Sequence, residues 1–185
     1  MQLIEPEAIL ETSRLLLEPL SPSHAHALHE PLQSEAIYEF IPENPPISSD
    51  DLAMRYQRLS SRKSPDEQEI WLNWAMCERR EDRYVGILQA TVYRDTTAYL
   101  AYILFPPFWR QGYAREGCRR ILDLLFEDYQ VHTVSAEIDT RNTASIRLIE
   151  ALGFQRVSTR LNADCFKGST SHEYRYELLA SAWKR

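Results

Sequence analysis

Thirteen residues in the middle of the chain, FPPFWRQGYAREG (105–117), join a Pro-Pro turn, a Gly-x-Ala step and two arginines. The run that follows, AREGCRRILDLLFEDY, places Ala114, Cys118, Ile121, Leu122, Leu125 and Tyr129 at helical spacing. The glycine loop therefore stands at a helix N-terminus, where backbone N–H groups lack partners and the helix dipole favours an anion. Gly112 allows the backbone to approach a ligand with no Cβ in the way. Ala114 keeps the first turn small, and Arg110 and Arg115 add charge. The chemistry this supports is the binding of a phosphate or pyrophosphate.

Two nucleotide motifs compete for the loop. Gly112 and Gly117 have the spacing of a triphosphate-binding loop, but Cys118 stands where that loop requires Lys, which excludes it. GYAREG also fits G-x-A-x-x-G, and Glu137 lies at about the distance of a ribose contact, the pattern of a dinucleotide-dependent oxidoreductase. Only 48 residues follow Glu137, too few for a second parallel half. The strands before the loop also read as an antiparallel meander rather than as βαβ units.

The elements that must position the loop are legible on either side of it. SRLLLEPL (13–20) reads as a first strand, SPSHAHALHEPLQS as a short helix opened by Ser-Pro, and EFIPENPPISS as a proline-rich loop. SSDDLAMRYQRLSSR has a Ser cap, acids in its first turn and arginines in its last. EIWLNWAMCE (69–78), with Ile70, Leu72, Trp74 and Met76 on one face, RYVGILQATVY (83–93) and TAYLAYILF (97–105) follow through short polar links, which predicts antiparallel neighbours. HTVSAEI (132–138) reads as a strand, NTASIRLIEALGF as a helix capped by Asn142 with Leu148, Ile149 and Leu152 facing in, and FQRVSTRL with HEYRYELL as a closing strand pair around Lys167-Gly168. The order βααβββαβαββ predicts an α/β chain with a mixed sheet, as a single domain over 1–185.

Composition bounds the partners. Lys and Arg number 21 against 27 Asp and Glu, a net charge of −6, which argues against nucleic acid and leaves room for a cationic substrate. Cys77, Cys118 and Cys165 are far apart with no C-x-x-C spacing, so neither a disulfide framework nor a zinc site is expected. MQLIEPEAIL lacks a basic region and a long apolar run, and no stretch reaches membrane-spanning length; the expectation is a cytoplasmic protein with no membrane partner. His24, His26 and His29 do not have i, i+4 ligand spacing and are read as a solvated helix face rather than a metal site.

Along residues 12–180 the chain resembles the GNAT acyltransferases, and within them the Rim-type branch of ribosomal-protein N-terminal acetyltransferases. The family's loop Q/R-x-x-G-x-G/A is matched by Trp109-Arg110-Gln111-Gly112-Tyr113-Ala114, with Trp109 in the form familiar from the Rim-type branch. Its second signature, an Asn followed by Ser and by Leu-Gly-Phe, is met by Asn142, Ser145, Leu152, Gly153 and Phe154. The resemblance implies a mostly antiparallel mixed sheet with helices on both faces and central strands that splay. It implies acetyl-CoA in that splay, with the backbone of Tyr102, Ile103 and Leu104 pairing with the pantetheine. Amides from Arg110 through Gln111, Gly112, Tyr113 and Ala114 to Arg115 would hold the pyrophosphate, and the Asn142 side chain would reach the pantetheine. A bulge in strand 97–105 would present an oxyanion-binding N–H.

Amide formation from a thioester and an amine needs chiefly placement, which can supply roughly 7–11 kcal/mol of the barrier. A proton donor assists the departing thiolate. Many relatives place a Tyr in the second helix for this purpose; the matching residue here is Ile149, and the Rim-type resemblance points to Ser145 instead. Glu137 is the candidate base or amine anchor, with Asp164 and His172 as weaker candidates in the closing strands. The expected activity is N-acetylation of a primary amine, a protein or peptide N-terminus or a small molecule, with no metal, by a monomer or homodimer. The alternative is a non-catalytic acyl-CoA-binding module, motivated by Ile149.

Overall fold

The computed structural model describes residues 8–184. The N-terminal stretch MQLIEPE, read above for targeting signals, lies outside them. Among the described residues eight strands form one sheet: β1 (Leu10–Glu11), β2 (Leu15–Pro19), β3 (Glu69–Glu78), β4 (Arg83–Tyr93), β5 (Thr97–Leu104), β6 (Thr133–Asp139), β7 (Gln155–Phe166) and β8 (Ser169–Leu179). Four α-helices accompany them: α1 (Ala25–His29), α2 (Ser49–Leu59), α3 (Tyr113–Glu127) and α4 (Thr143–Ala151). The spatial order is β1-β2-β3-β4-β5-β6-β8-β7. All neighbours are antiparallel except β5 and β6, which α3 connects as a crossover between parallel strands.

The meander forms where the sequence predicts it, because alternating apolar residues meet polar turns at each end. The first strand is shorter than its apolar run, and β1 lies beside it; two residues carry no period of their own. The first helix is broken, with Pro22–His24 forming a 3-10 turn before α1.

Leu15, Leu17, Leu72, Trp74, Met76, Leu88 and Leu100 bury one sheet face against α3 and α4. Ala75, Ile87 and Phe105 bury the other against α1 and α2. Ile70, assigned above to the buried face, is 39% exposed near the strand's start. Gly117 brings α3 close to the sheet: a Cβ there would stand 2.7 Å from Leu88 Cδ1 and 3.1 Å from Met76 Sδ.

Of the three histidines read as a solvated face, His26 is exposed and His29 half-buried, and His24 departs from the expectation. His24 is buried, its Nε2 is 3.1 Å from Glu18 Oε2, and its ring packs edge-on to Tyr84. No cluster of metal-ligating side chains occurs among the described residues, and none of their helices is long and apolar enough to cross a membrane.

Candidate active site

The site begins with a parting of strands. β5 pairs with β6 only through Thr97↔Thr133, Ala98↔Val134 and Tyr99↔Ser135. Beyond Tyr99, β5 stays with β4 as far as Leu104, while β6 stays with β8 as far as Asp139. Residues 100–104 and 136–139 therefore face each other across a wedge, each strand keeping one edge without a strand partner. An unpaired strand edge is a row of donors and acceptors ready for an extended ligand. The β4–β5 ladder runs without a register shift, so the bulge expected in β5 is absent; divergence of β6 alone opens the wedge.

Past β5 the chain enters the glycine loop. Pro106–Phe108 form a 3-10 turn, and the Trp109 indole N–H donates to Leu104 O at 2.8 Å. Arg110 has φ 59° and Gly112 φ 82°, both in the left-handed region. Gly112 is the N-cap of the 15-residue α3 and has no side chain to cap it. The first helical hydrogen bond runs from Glu116 N–H to Gly112 O, 3.0 Å. The amides of Tyr113, Ala114 and Arg115 lie ahead of it. Arg110 and Arg115 are exposed, and neither makes an ion pair among the described residues. The residues thus fit an anionic group at the helix start, one that the loop itself does not neutralise.

The loop is braced from the far end of the sequence. Glu116 accepts from Thr12 Oγ1 (2.7 Å), Ser13 Oγ (2.9 Å), Arg14 N–H (2.8 Å) and Arg14 Nε (2.6 Å). Burial acts to raise its carboxyl, and these hydrogen bonds outweigh it and hold the group below the usual carboxylate range. Arg14 also donates to Gln111 O at 2.9 Å and stacks 4.4 Å from the Tyr113 ring centroid.

α4 forms the other wall. Asn142 caps it as the sequence predicts, its Oδ1 accepting from Ser145 N–H at 3.1 Å. Ser145 lines the cavity at the wedge, as do Asn142, Tyr102 and Ile103. Ile149 is fully buried in the core. The position where many relatives carry a Tyr is therefore occupied by packing, not turned to the cavity. The Tyr102 hydroxyl instead reaches α4, donating to Ser145 O at 3.4 Å; burial pushes its phenol pKa up and keeps it a neutral donor.

From the wedge a cavity of about 620 Å³ extends beneath α2 and the segment 38–47. Glu137 lines it, with Oε2 3.5 Å from Arg160 and Oε1 3.6 Å from Arg175. Glu173 lines it too and also pairs with Arg160. Sequence reasoning missed Glu173, because only the β6–β8 register, Asp139↔Glu173, brings it there. Asp139 is buried and committed to Arg141 (2.7 Å) and Ser171 (2.7 Å). Burial alone would raise its pKa; the Arg141 and Ser171 hydrogen bonds more than offset this and hold it at about 2.

The cavity's roof is tethered by Lys167 at the β7–β8 turn, whose Nζ donates to the carbonyls of Tyr38, Ile41 (3.1 Å) and Glu43 (3.2 Å). Asp164 and His172 do not join the site. Asp164 accepts from Cys165 N–H and His172 Nδ1 from Asn162 N–H, and neither lines the cavity.

The model of the acetyltransferase (GNAT) domain family matches residues 14–155. The uncharacterized N-acetyltransferase YoaA of Bacillus subtilis (strain 168) is 23% identical over 151 residues, covering 80% of this chain and 83% of its own. The FsC-acetyl coenzyme A-N(2)-transacetylase of Aspergillus fumigatus is 25% identical over 195 residues, covering 98% of this chain and 80% of its own. Among solved structures, the ribosomal-protein-S5-alanine acetyltransferase of Vibrio fischeri shares the fold with a TM-score of 0.81 at 14% identity, over 96% of this chain and 100% of that one. The match across residues 14–155, over a sheet that splays beside a glycine-capped helix, makes this chain a member of the GNAT acetyltransferase family.

Proposed function

We propose that the protein transfers an acetyl group from acetyl-CoA to a primary amine. The observation that carries this reading is the wedge between β5 and β6, which leads from the free N-terminus of α3 to the cavity under α2. The pyrophosphate is held by the amides from Arg110 to Arg115, Gln111, Gly112, Tyr113 and Ala114 among them, with the two free guanidiniums adding charge. The pantetheine pairs with the open edge of β5 along Tyr102, Ile103 and Leu104. Asn142 spends its oxygen on the helix cap, so its NH₂ group is what remains to donate to the pantetheine.

Acetyl-CoA supplies the activated acyl group; a nitrogen–carbon bond forms as the carbon–sulfur bond breaks, and the amine gives up a proton as the sulfur gains one. Ser145 is the donor toward the departing sulfur, at the end of α4 that faces the wedge. Glu137, already paired with Arg160 and Arg175, anchors the incoming amine or its water. An α-amine of pKa about 8 needs only modest desolvation to become the nucleophile. Since Ile149 is packed in the core, its lack of a hydroxyl does not by itself favour a non-catalytic module.

The loop around Trp109, familiar from the Rim-type branch, favours a protein or peptide N-terminus as the acceptor. The similarity to an N(2)-transacetylase favours a small-molecule amine as the second reading. Release of free CoA thiol from acetyl-CoA, measured across peptide N-termini and small amines, tests the proposal. Saturable, amine-dependent release is expected. A folded protein that binds acetyl-CoA and releases no thiol with any amine would be a binding module.

A further inference from the structure

One polar atom in the cavity wall has no partner. Tyr56 of α2 is 2% exposed and lines the cavity, and its hydroxyl is buried without a hydrogen bond. A buried hydroxyl left unpaired is costly, so an occupant that satisfies it is favoured. Its neighbour Tyr38 does not pair with it: the Tyr38 hydroxyl donates to Leu32 O at 2.9 Å, and no hydrogen bond joins the two phenols.

Arg55 stands next to Tyr56 on α2 and also lines the cavity. It is exposed and makes no ion pair among the described residues. Its charge acts on both phenols, lowering Tyr56 and Tyr38 against the larger raising effect of burial. This end of the cavity thus presents, among the described residues, a guanidinium without an ion pair and a hydroxyl without a partner, with the carboxylates of Glu43 and Asp51 also in the lining. The β6–β8 end presents the carboxylates of Glu137 and Glu173. Between them the wall is apolar, with Leu52 on α2 facing the cavity shared with Ile87 and Ile103 of the sheet.

A plain alkylamine could use only carboxylates, Glu137 and Glu173 with their Arg160 and Arg175 partners or Glu43 and Asp51, and carries no oxygen for Arg55 or the Tyr56 hydroxyl. Resting on the acetyltransferase reading, we infer that the acceptor amine also carries a carboxylate or carbonyl oxygen, held by the Tyr56 hydroxyl and the Arg55 guanidinium, with an apolar side chain along Leu52 and Ile87. A free α-amino acid offers the carboxylate; an N-terminal residue of a peptide offers the amide carbonyl. A guanidinium discriminates between them by charge, whereas a hydroxyl serves either.

The test is calorimetric titration of the CoA-loaded protein, which needs no turnover, with phenylethylamine, phenylalanine and phenylalanine amide. These share the amine and the apolar group and differ in the oxygen. One or both oxygen-bearing ligands should bind wild type about tenfold more tightly than phenylethylamine. Tyr56→Phe should reduce that preference to about twofold or less and leave CoA binding unchanged. Arg55→Met, on the exposed side of α2, should weaken phenylalanine more than its amide if the source is a carboxylate, and both equally little if it is a peptide carbonyl. Equal binding of the three ligands, no binding by any, or a preference untouched by Tyr56→Phe would overturn the inference. Amine-dependent thiol release would then still stand as evidence for the acetyltransferase reading; failure of CoA to load, seen before any amine is added, would sink both.

Discussion

At the residue scale the site divides into groups that are spent and groups that are free. Asp139 is spent. Its carboxylate, below its usual pKa, is held by Arg141 and Ser171, so the stabilisation it provides is complete above about pH 4 and is lost as pH falls through about 2. The shift corresponds to about 2 kcal/mol. Urea unfolding at pH 6 and pH 2 should show this loss in wild type, and Asp139→Asn should remove that part of the acid dependence while lowering stability at pH 6. Ser145 is of the other kind: its backbone serves the cap and the Tyr102 hydroxyl, and its side chain lies at the cavity. Ser145→Ala should lower kcat roughly 100-fold, the low end for loss of a proton donor, and leave the Kd for acetyl-CoA unchanged. A kcat equal to wild type would remove Ser145 from the chemistry and leave it as a first-turn residue held by the Asn142 cap.

At the scale of elements, the position of α3 decides where the loop's amides point. Two features fix it. Glu116 gathers Thr12, Ser13 and Arg14 around the first helical turn, and Gly117 lets the next turn sit against Leu88 and Met76. A methyl group at Gly117 must displace either the Leu88 methyl at 2.7 Å or the helix itself. Gly117→Ala should therefore cost about 1–3 kcal/mol of stability, despite alanine's better helix propensity, and should weaken acetyl-CoA binding through the shifted loop. Denaturant midpoints and acetyl-CoA titrations check the two effects separately. A variant as stable as wild type would mean that α3 adjusts without strain.

The same elements show what a sequence can and cannot disclose. β3, β4 and β5 were legible because period-2 apolar runs and polar turns are local signals. The Gly112 loop and the Asn142 cap were legible for the same reason: each acts on backbone within a few residues. The acceptor cavity was not. Glu173 reaches it through strand register, Lys167 tethers a segment 129 residues away, and Arg14 braces a helix 102 residues away. Tyr56 carries no local signal, since the helix was legible only through its cap and terminal charges; that its hydroxyl is orphaned depends on everything packed around it. His24 fails in the same manner, since its partner Glu18 lies on a neighbouring strand rather than on its own helix.

At the scale of the whole molecule, the sheet is two blocks, β1–β5 and β6–β8, joined by three residue pairs between β5 and β6. A ligand that seats in the gap between the blocks and binds only the folded chain stabilises the fold by linkage. At 100 times its Kd, acetyl-CoA should add about 2.7 kcal/mol and raise Tm by roughly 5–10 °C. NAD, whose motif the loop only partly matches, should not. The central claim is that the wedge and the Gly112 cradle together hold acetyl-CoA. It is tested most directly by calorimetric titration of acetyl-CoA into wild type and into Gly112→Val, whose β-branched side chain is strained at a φ of 82°. Saturable binding at one site in wild type, weakened at least about tenfold in the variant, is the predicted result. Equal affinity in the two proteins, or no binding by folded wild type, would contradict it.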